Sequence, residues 1–173
     1  MTENFEFNLG NLKIDQLSYV YKDIKNQAKV MEDLYGIPTF AQMENITHQG
    51  ATYRGKEVTI VIDYAVSRSL NVQIELQQWK SGDSLFKDFM DQGKEGLHSI
   101  GIYVEDLEAY IDQFKKRGIE VLQTGQVGKQ KFAYLDTEKT FGVLLEVSTT
   151  VKRKKKKKSL TLEKKVVSLA TPI

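Results

Sequence analysis

This sequence of 173 residues contains no cysteine, which excludes disulfide bonds and metal sites built from thiolates. It also lacks any apolar run that approaches the roughly 18 residues needed by a membrane-spanning helix. Its first residues do not show the basic segment followed by an apolar segment that is typical of a secretory signal peptide. From these absences we expect a cytoplasmic protein without a membrane span.

Net charge is also small, at +2, but it is divided unevenly along the chain. Residues 151–173 contain nine basic residues and one acid, so this basic tail carries +8 and the other 150 residues carry −6. An acidic main part argues against specific nucleic-acid binding. The basic tail is expected to stay disordered because its like charges repel. It is also expected to bind polyanions weakly and in a salt-dependent manner.

The remaining sequence contains a repeat. Aligning Asp23 with Asp106 places Gln16 on Ser99, so the two copies lie about 83 residues apart. In each copy an alternating strand leads to an aspartate that can cap a helix through its carboxylate. Apolar residues then follow at helical spacing. This pattern predicts two copies of one supersecondary unit.

After its helix, each copy continues with three segments that alternate like strands. The copies are therefore predicted as strand–helix–strand–strand–strand units over about residues 12–78 and 96–149, linked by a short helix. Neither copy covers its own sheet well, so the two are expected to pack as a pseudo-symmetric pair. We thus predict a single domain over residues 12–150, preceded by an N-terminal extension at residues 1–11 and followed by the basic tail.

The repeat also predicts which polar side chains converge. Residues at equivalent points of a pseudo-twofold pair meet near its axis, and the polar residues at such points are Gln16 with Ser99 and Glu75 with Glu146. Each lies among apolar neighbours in a strand, where burying a polar side chain costs free energy unless it forms hydrogen bonds or serves a function. The alternatives are that the two glutamates face solvent and that Gln16 and Ser99 merely line an inactive pocket.

Residues 12–149 resemble the glyoxalase, or vicinal oxygen chelate, superfamily, and within it the methylmalonyl-CoA epimerase-like members. The segments that carry the resemblance are 14–17, 22–23, 72–76, 96–101, 134–137 and 142–146. It implies an α+β fold in which paired βαβββ modules form one cupped mixed sheet around an open cavity. It also implies a divalent metal in that cavity, which chelates vicinal oxygens and stabilises an enolate.

The resemblance places the metal ligands on Gln16, Glu75, Ser99 and Glu146. Two of these positions usually hold histidine in the family. The carbonyl oxygen of Gln16 can still act as a ligand, whereas the hydroxyl of Ser99 is a poor one. Alternation along a strand would turn His98 to the opposite face, so it would not replace Ser99. Such an oxygen set suits Mg²⁺ or Mn²⁺ better than Zn²⁺ or Co²⁺, and no organic cofactor is expected.

Three functions remain open at this point, one of which is binding of polyanions through the basic tail beside an inactive domain. The first is a metal-assisted isomerase, epimerase or lyase that removes a proton next to a carbonyl of a small substrate. Its catalytic residues would be Glu75 and Glu146, and Ser18 and Asp63 would bind substrate, although a salt-bridged surface acid is the favoured alternative for Asp63. Without a metal, two facing carboxylates repel, which raises one pKa and produces an acid–base pair.

The second function is a non-catalytic protein that binds a small molecule without metal. The retained glutamates favour the enzyme, and the serine in place of a family histidine favours the binding protein. Members of the superfamily often dimerise, so the resemblance also points to a homodimer.

Overall fold

The computed structural model describes residues 13–150, so the predictions for residues 1–11 and for the basic tail lie outside the described residues. Along the chain the elements are β1 (Gln16–Val20), α1 (Ile24–Tyr35), β2 (Ala41–Thr47), β3 (Gln49–Tyr53), β4 (Lys56–Glu57), β5 (Val61–Ser69), β6 (Val72–Ser81), α2 (Leu85–Asp91), β7 (Gly96–Val104), α3 (Leu107–Lys115), β8 (Val121–Val127), β9 (Gln130–Leu135), α4 (Glu138–Phe141) and β10 (Leu144–Thr149). None of the helices in this part of the chain has the length and apolar composition required to cross a membrane.

The helices α1 and α3 begin in the same way in the two copies. The Asp23 carboxylate accepts from the backbone N–H of Asn26 at 3.0 Å, and the Asp106 carboxylate accepts from that of Ala109 at 3.0 Å. Each bond satisfies one of the free amides in the first helical turn. The predicted capping of both helices is therefore confirmed.

All ten strands belong to one sheet, in the order β2-β5-β6-β1-β7-β10-β9-β8-β3-β4. The first module supplies the four strands from β2 to β1, and the second supplies the four from β7 to β8. The two modules meet at the antiparallel pair β1 and β7, while β1–β6 and β7–β10 are parallel. These findings confirm the predicted α+β fold of two βαβββ modules in one mixed sheet.

The strand register at the junction of the modules follows the repeat. Gln16 lies opposite Gly101, and Ser99, the repeat equivalent of Gln16, lies opposite Ser18. A twofold relation between antiparallel strands produces this reciprocal pairing. The pseudo-twofold axis therefore passes between these two pairs, and the polar residues predicted from the repeat lie next to it.

The sheet curls, and the chain itself connects its two ends. Strands β2 and β3 lie near opposite ends of the strand order, where they pair with β5 and β8. Only His48 separates them along the chain, and its N–H donates to the carbonyl of Ile60 at 3.0 Å. The curled sheet therefore encloses an interior, and the inward-facing side chains of both modules share it.

The helices cover this curled sheet in two different ways. Helices α1 and α3 pack on its outer face, each over the strands of its own module. Helix α2 instead inserts Phe86, which has no exposed surface, into one end of the interior. There it contacts inward-facing aromatic rings, so α2 closes that end and leaves the other end open.

One expectation about β7 is wrong. The strand has one residue more than the facing stretch of β1 at this point, which is the signature of a β-bulge. Because a bulge interrupts strict alternation, His98 does not turn away from the face that carries Ser99. Its ring lies in the interior, with centroids 5.3 Å from Phe86 and 5.8 Å from Tyr134.

Candidate functional site

An open cavity of about 540 Å³ occupies the interior at the end opposite α2. Its floor contains the rings of Tyr64, Phe132 and Tyr134, which also belong to the apolar cluster around Phe86. Inward-facing residues of β2, β5, β6, β9 and β10 form its walls. A cavity of this size accommodates a small organic molecule.

Strand β6 places a row of polar side chains in the cavity because alternate residues of a strand share one face. Gln73, Glu75 and Gln77 all line it. Across the interior, β10 contributes Glu146, which is 5% exposed. The two glutamates predicted from the repeat therefore lie in the same cavity.

The amide of Gln16 joins the two glutamates. Its Nε2 atom lies 3.2 Å from Oε1 of Glu75 and 3.3 Å from Oε2 of Glu146, and it donates to the Ser18 hydroxyl at 2.7 Å. Gln16 and Ser18 have almost no exposed surface. Because both carboxyl groups contact one nitrogen atom, they face each other within a single hydrogen-bonded cluster.

The remaining partners of the two carboxyl groups are neutral donors. Glu75 accepts from the amides of Gln77 at 2.6 Å and Gln73 at 3.3 Å, and Glu146 accepts from the hydroxyl of Ser148 at 2.6 Å. Within residues 13–150, no lysine, arginine or histidine forms an ion pair with either glutamate. Two acids are thus held together without a compensating cation.

This environment changes the acidity of both groups. Burial and, to a smaller extent, the charge of Glu146 raise the pKa of Glu75 to about 8, although the hydrogen bonds from the amides of Gln77 and Gln73 act in the opposite direction. Burial also raises the pKa of Glu146, against the hydrogen bonds from Ser148 and Tyr134. Both groups therefore bind a proton more tightly than an exposed glutamate does, and two coupled acids in a poorly solvated site release their protons in separate steps.

The orientation of Gln16 determines whether these residues fit a metal ion. Its Oε1 atom accepts from the Tyr103 hydroxyl at 2.9 Å and from Nε2 of Gln73 at 3.2 Å. Turning the amide over would bring its NH₂ group against that of Gln73, and both groups only donate. Gln16 consequently presents N–H, not oxygen, to the carboxylates, so the three side chains do not fit a divalent ion in this arrangement.

Ser99 does not join the cluster. It lies opposite Ser18 and is fully buried, and its hydroxyl has no hydrogen-bond partner within the described chain. Nor do residues 13–150 contain any group of three or more histidine, cysteine, aspartate or glutamate side chains that could hold a metal. Of the four predicted metal ligands, the structure thus brings together Gln16, Glu75 and Glu146.

Asp63 is also separate from this cluster. It precedes the cavity residue Tyr64 on β5 and therefore points to the other face. Its carboxylate accepts from the N–H of Asn45 at 2.6 Å and pairs with Lys80 at 3.3 Å. Asp63 is therefore a salt-bridged acid, and it does not line the cavity as a substrate-binding residue would.

Three residues that hydrogen-bond to Gln16 or Glu75 escaped the sequence reasoning. Gln73 and Gln77 were visible as members of the polar face of β6, but nothing in the sequence showed that they bond to Glu75. Tyr103 is the repeat equivalent of the apolar Val20, so the repeat gave no signal for it. Burial raises the pKa of Tyr103 and keeps its hydroxyl protonated as a donor to Gln16.

The comparisons with known proteins agree with this architecture. Residues 15–134 match the sequence model of the Glyoxalase/Bleomycin resistance protein/Dioxygenase superfamily. No curated protein sequence gives a significant match.

Solved structures with a similar fold include a hypothetical protein from Bacillus halodurans C-125, with a TM-score of 0.62 and 19% identity over 83% of this chain and 98% of that one. Methylmalonyl-CoA epimerase from Mycobacterium tuberculosis has a TM-score of 0.57 and 16% identity over 80% and 87% of the two chains. A variant of the Streptomyces coelicolor methylmalonyl-CoA epimerase in complex with 2-nitronate-propionyl-CoA has a TM-score of 0.55 and 21% identity over 82% and 96%. At these identities the likeness concerns the fold.

Proposed function

Since this chain belongs to the Glyoxalase/Bleomycin resistance protein/Dioxygenase superfamily, we propose that it is an isomerase of the epimerase type. The proposed reaction moves a proton at the carbon next to a carbonyl group of a small molecule. The observation that carries this proposal is the contact of Glu75 and Glu146 with one amide nitrogen inside an open cavity. A facing pair of acids that holds one proton can both remove and return a proton.

In the proposed mechanism the ionised carboxylate takes the proton from the carbon. The electron pair of that C–H bond moves towards the carbonyl oxygen and forms an enolate. The protonated carboxyl group then gives its proton to the other face of the carbon, which inverts the configuration. The Tyr134 hydroxyl and the Gln77 amide also line the cavity. Both already bond to the acids, so they would stabilise the developing enolate oxygen only by exchanging partners.

No step of this mechanism uses a metal ion. Members of the superfamily often use divalent metals, and a metal-assisted version of the reaction would need the Gln16 oxygen as a ligand. That oxygen is engaged by Tyr103 and Gln73. The Gln16 amide instead gives one N–H to Ser18 and shares the other between the two acids, which holds them close together. The metal set with Ser99, the substrate contact of Ser18, the cytoplasmic location and the homodimer all remain predictions.

Solvent exchange tests the proposal. Chelator-treated protein is incubated in D₂O with methylmalonyl-CoA, chosen because two of the similar structures are epimerases of that thioester, and with acetoacetate. The loss of the ¹H NMR signal next to the carbonyl is followed. We expect exchange by the wild type and a loss of about 10²-fold or more in Glu75→Gln and Glu146→Gln. The matched control Glu57→Gln removes an exposed acid on β4 and should leave exchange unchanged.

Two results would contradict the proposal. Ligand binding without exchange in any variant would indicate a small-molecule-binding protein without turnover. Exchange that appears only after Mg²⁺, Mn²⁺, Co²⁺ or Zn²⁺ is added would indicate a metal enzyme and would require Gln16 to adopt the opposite amide orientation.

A further inference from the structure

Arg68 is the only cationic residue among the described residues that line the cavity. It lies on β5, on the same face as Tyr64 and Val66, which also line the cavity. One of its N–H groups donates to the carbonyl of Asn71 at 3.3 Å. It forms no ion pair with any residue in the range 13–150, so most of its five donors are available.

The position of Arg68 is fixed relative to the acids. In the β5–β6 pair, Arg68 lies opposite Gln73, and Val66 lies opposite Glu75. Arg68 and Glu75 are therefore diagonal neighbours, and such residues are typically about 7–8 Å apart, with their Cβ atoms somewhat closer. A small molecule that contacts Glu75 with its reacting carbon can reach the guanidinium group with a substituent a few bonds away.

The charge of Arg68 also extends across the cavity. Burial raises the pKa of Tyr103 on β7, the two glutamates raise it further, and Arg68 opposes the rise. Arg68 thus acts on the same residue that hydrogen-bonds to Gln16. The guanidinium group and the carboxyl pair belong to one continuous site.

An arginine in this place is not needed to neutralise the acids. The oxygens of Glu75 already accept from the amides of Gln16, Gln73 and Gln77. Two acids at the base of the cavity would repel an anionic ligand unless a cation compensated for them. The guanidinium group of Arg68 on the same cavity wall can offset this repulsion of a ligand without forming an ion pair with the acids, and its planar fork matches the oxygens of a carboxylate or phosphate.

We propose that Arg68 binds an anionic oxygen group of the substrate, so that the preferred ligand is a carbonyl compound with a carboxylate or phosphate a few bonds from the reacting carbon. This assignment rests on the proposed function for the position of the reacting carbon. Arg68 is accordingly a specificity-determining residue of the cavity.

Binding of matched ligand pairs tests this assignment. Acetoacetate is compared with acetoacetamide, and dihydroxyacetone phosphate with dihydroxyacetone, by NMR titration of the protein. We expect the wild type to bind at least one anion about tenfold or more tightly than its neutral counterpart. Arg68→Gln should remove that preference without changing the affinity for the neutral ligand, and Arg68→Lys should retain part of it. The pair that shows the larger preference identifies carboxylate or phosphate as the group.

The control variant Lys29→Gln removes one positive charge from the exposed surface of α1, away from the cavity, and should keep the preference. Equal affinities for charged and neutral ligands in the wild type would overturn the assignment, as would an unchanged preference in Arg68→Gln. Because the readout is binding, it is independent of turnover. An Arg68-dependent preference without proton exchange would refute only the proposed reaction.

Discussion

At the scale of single residues, Gln16 links the two acids to the rest of the cavity. Its side chain passes next to Gly101 on β7, where a Cβ atom would lie 2.8 Å from the Cβ of Gln16. Real Cβ contacts are longer than this, so any larger residue at position 101 must displace Gln16. The glycine is therefore required by the position of the amide.

The variant Gly101→Ala tests this requirement. We expect it to lose about 1–3 kcal/mol of unfolding free energy from overpacking and to exchange the substrate proton more slowly, because the amide moves away from the acids. Urea unfolding and the D₂O assay measure the two effects. The double variant Gln16→Gly with Gly101→Ala moves the glycine to the other strand and should recover part of the stability but no activity. Wild-type stability and exchange in the single variant would refute the close contact.

The raised pKa of Glu75 makes stability depend on pH. The folded-state pKa is about 8 and the ordinary value is 4.5, so the folded state binds this proton more tightly than the unfolded state does. The resulting stabilisation is complete below about pH 4.5 and is lost as the pH rises through about 8. The loss amounts to ~1.4 kcal/mol per pH unit within that window.

Comparison with Glu75→Gln measures this effect for the coupled pair, because the variant also alters the titration of Glu146. As the pH rises from about 4.5 to 8, the unfolding free energy of the wild type should fall relative to that of the variant. The buried His48 and His98, whose pKa values burial lowers to about 4, contribute equally to both proteins and cancel. Chemical denaturation at several pH values measures the difference. A constant difference across the window would show that Glu75 titrates normally.

Much of the cluster at this scale could be predicted from the sequence. Gln16, Glu75 and Glu146 were identifiable because the repeat placed polar residues at equivalent points of apolar strands. The amide orientation of Gln16 and the role of Arg68 could not be predicted. They depend on which residues of neighbouring strands lie opposite each other, and the repeat says nothing about the β5–β6 register.

At the scale of secondary structure, the features that depend on local sequence were predictable. Helix caps require only a suitable side chain next to free amides, so Asp23 and Asp106 were recognisable without knowledge of the fold. The bulge in β7 was not predictable, because it exists only in relation to the register with β1. That single extra residue moved His98 into the interior.

The two caps provide a matched pair of tests. Asp23→Ala and Asp106→Ala should each lower the unfolding free energy by about 1 kcal/mol. The double variant should lose close to the sum, because the caps share no partner. The control Asp33→Ala makes the same change near the C-terminal end of α1, where an acid opposes the helix dipole, and should not destabilise. Chemical denaturation measures all four variants, and no loss in either cap variant would show that its hydrogen bond is not stabilising.

At the scale of the whole molecule, the sequence predicted two modules but not how they interlock. The hairpin β3–β4 belongs to the first module by sequence and yet pairs with β8 of the second. Such a contact between distant segments leaves no periodic signal. Charge, by contrast, is readable from the sequence alone, since the basic tail carries +8 and the remainder −6.

This division of charge leads to a prediction for the basic tail. The full chain should bind heparin at low ionic strength, and binding should weaken steeply as salt increases. A chain that ends at residue 150 carries a formal charge of −6 and should lose this binding while retaining its thermal unfolding profile. Fluorescence anisotropy with labelled heparin and circular dichroism measure these outcomes. Retained heparin binding by the shortened chain would place the polyanion site elsewhere.

The strand that runs through β2, His48 and β3 joins the modules a second time, in addition to the β1–β7 pair. Two modules joined by a single strand pair could rotate apart about that pair and open the cavity to a ligand. Because β3 also pairs with β8, such a rotation would have to break the backbone hydrogen bonds between these two strands. We therefore expect a ligand to enter and leave through the open end of the cavity by rearrangement of side chains. The distance between the two acids should then stay constant during binding and release.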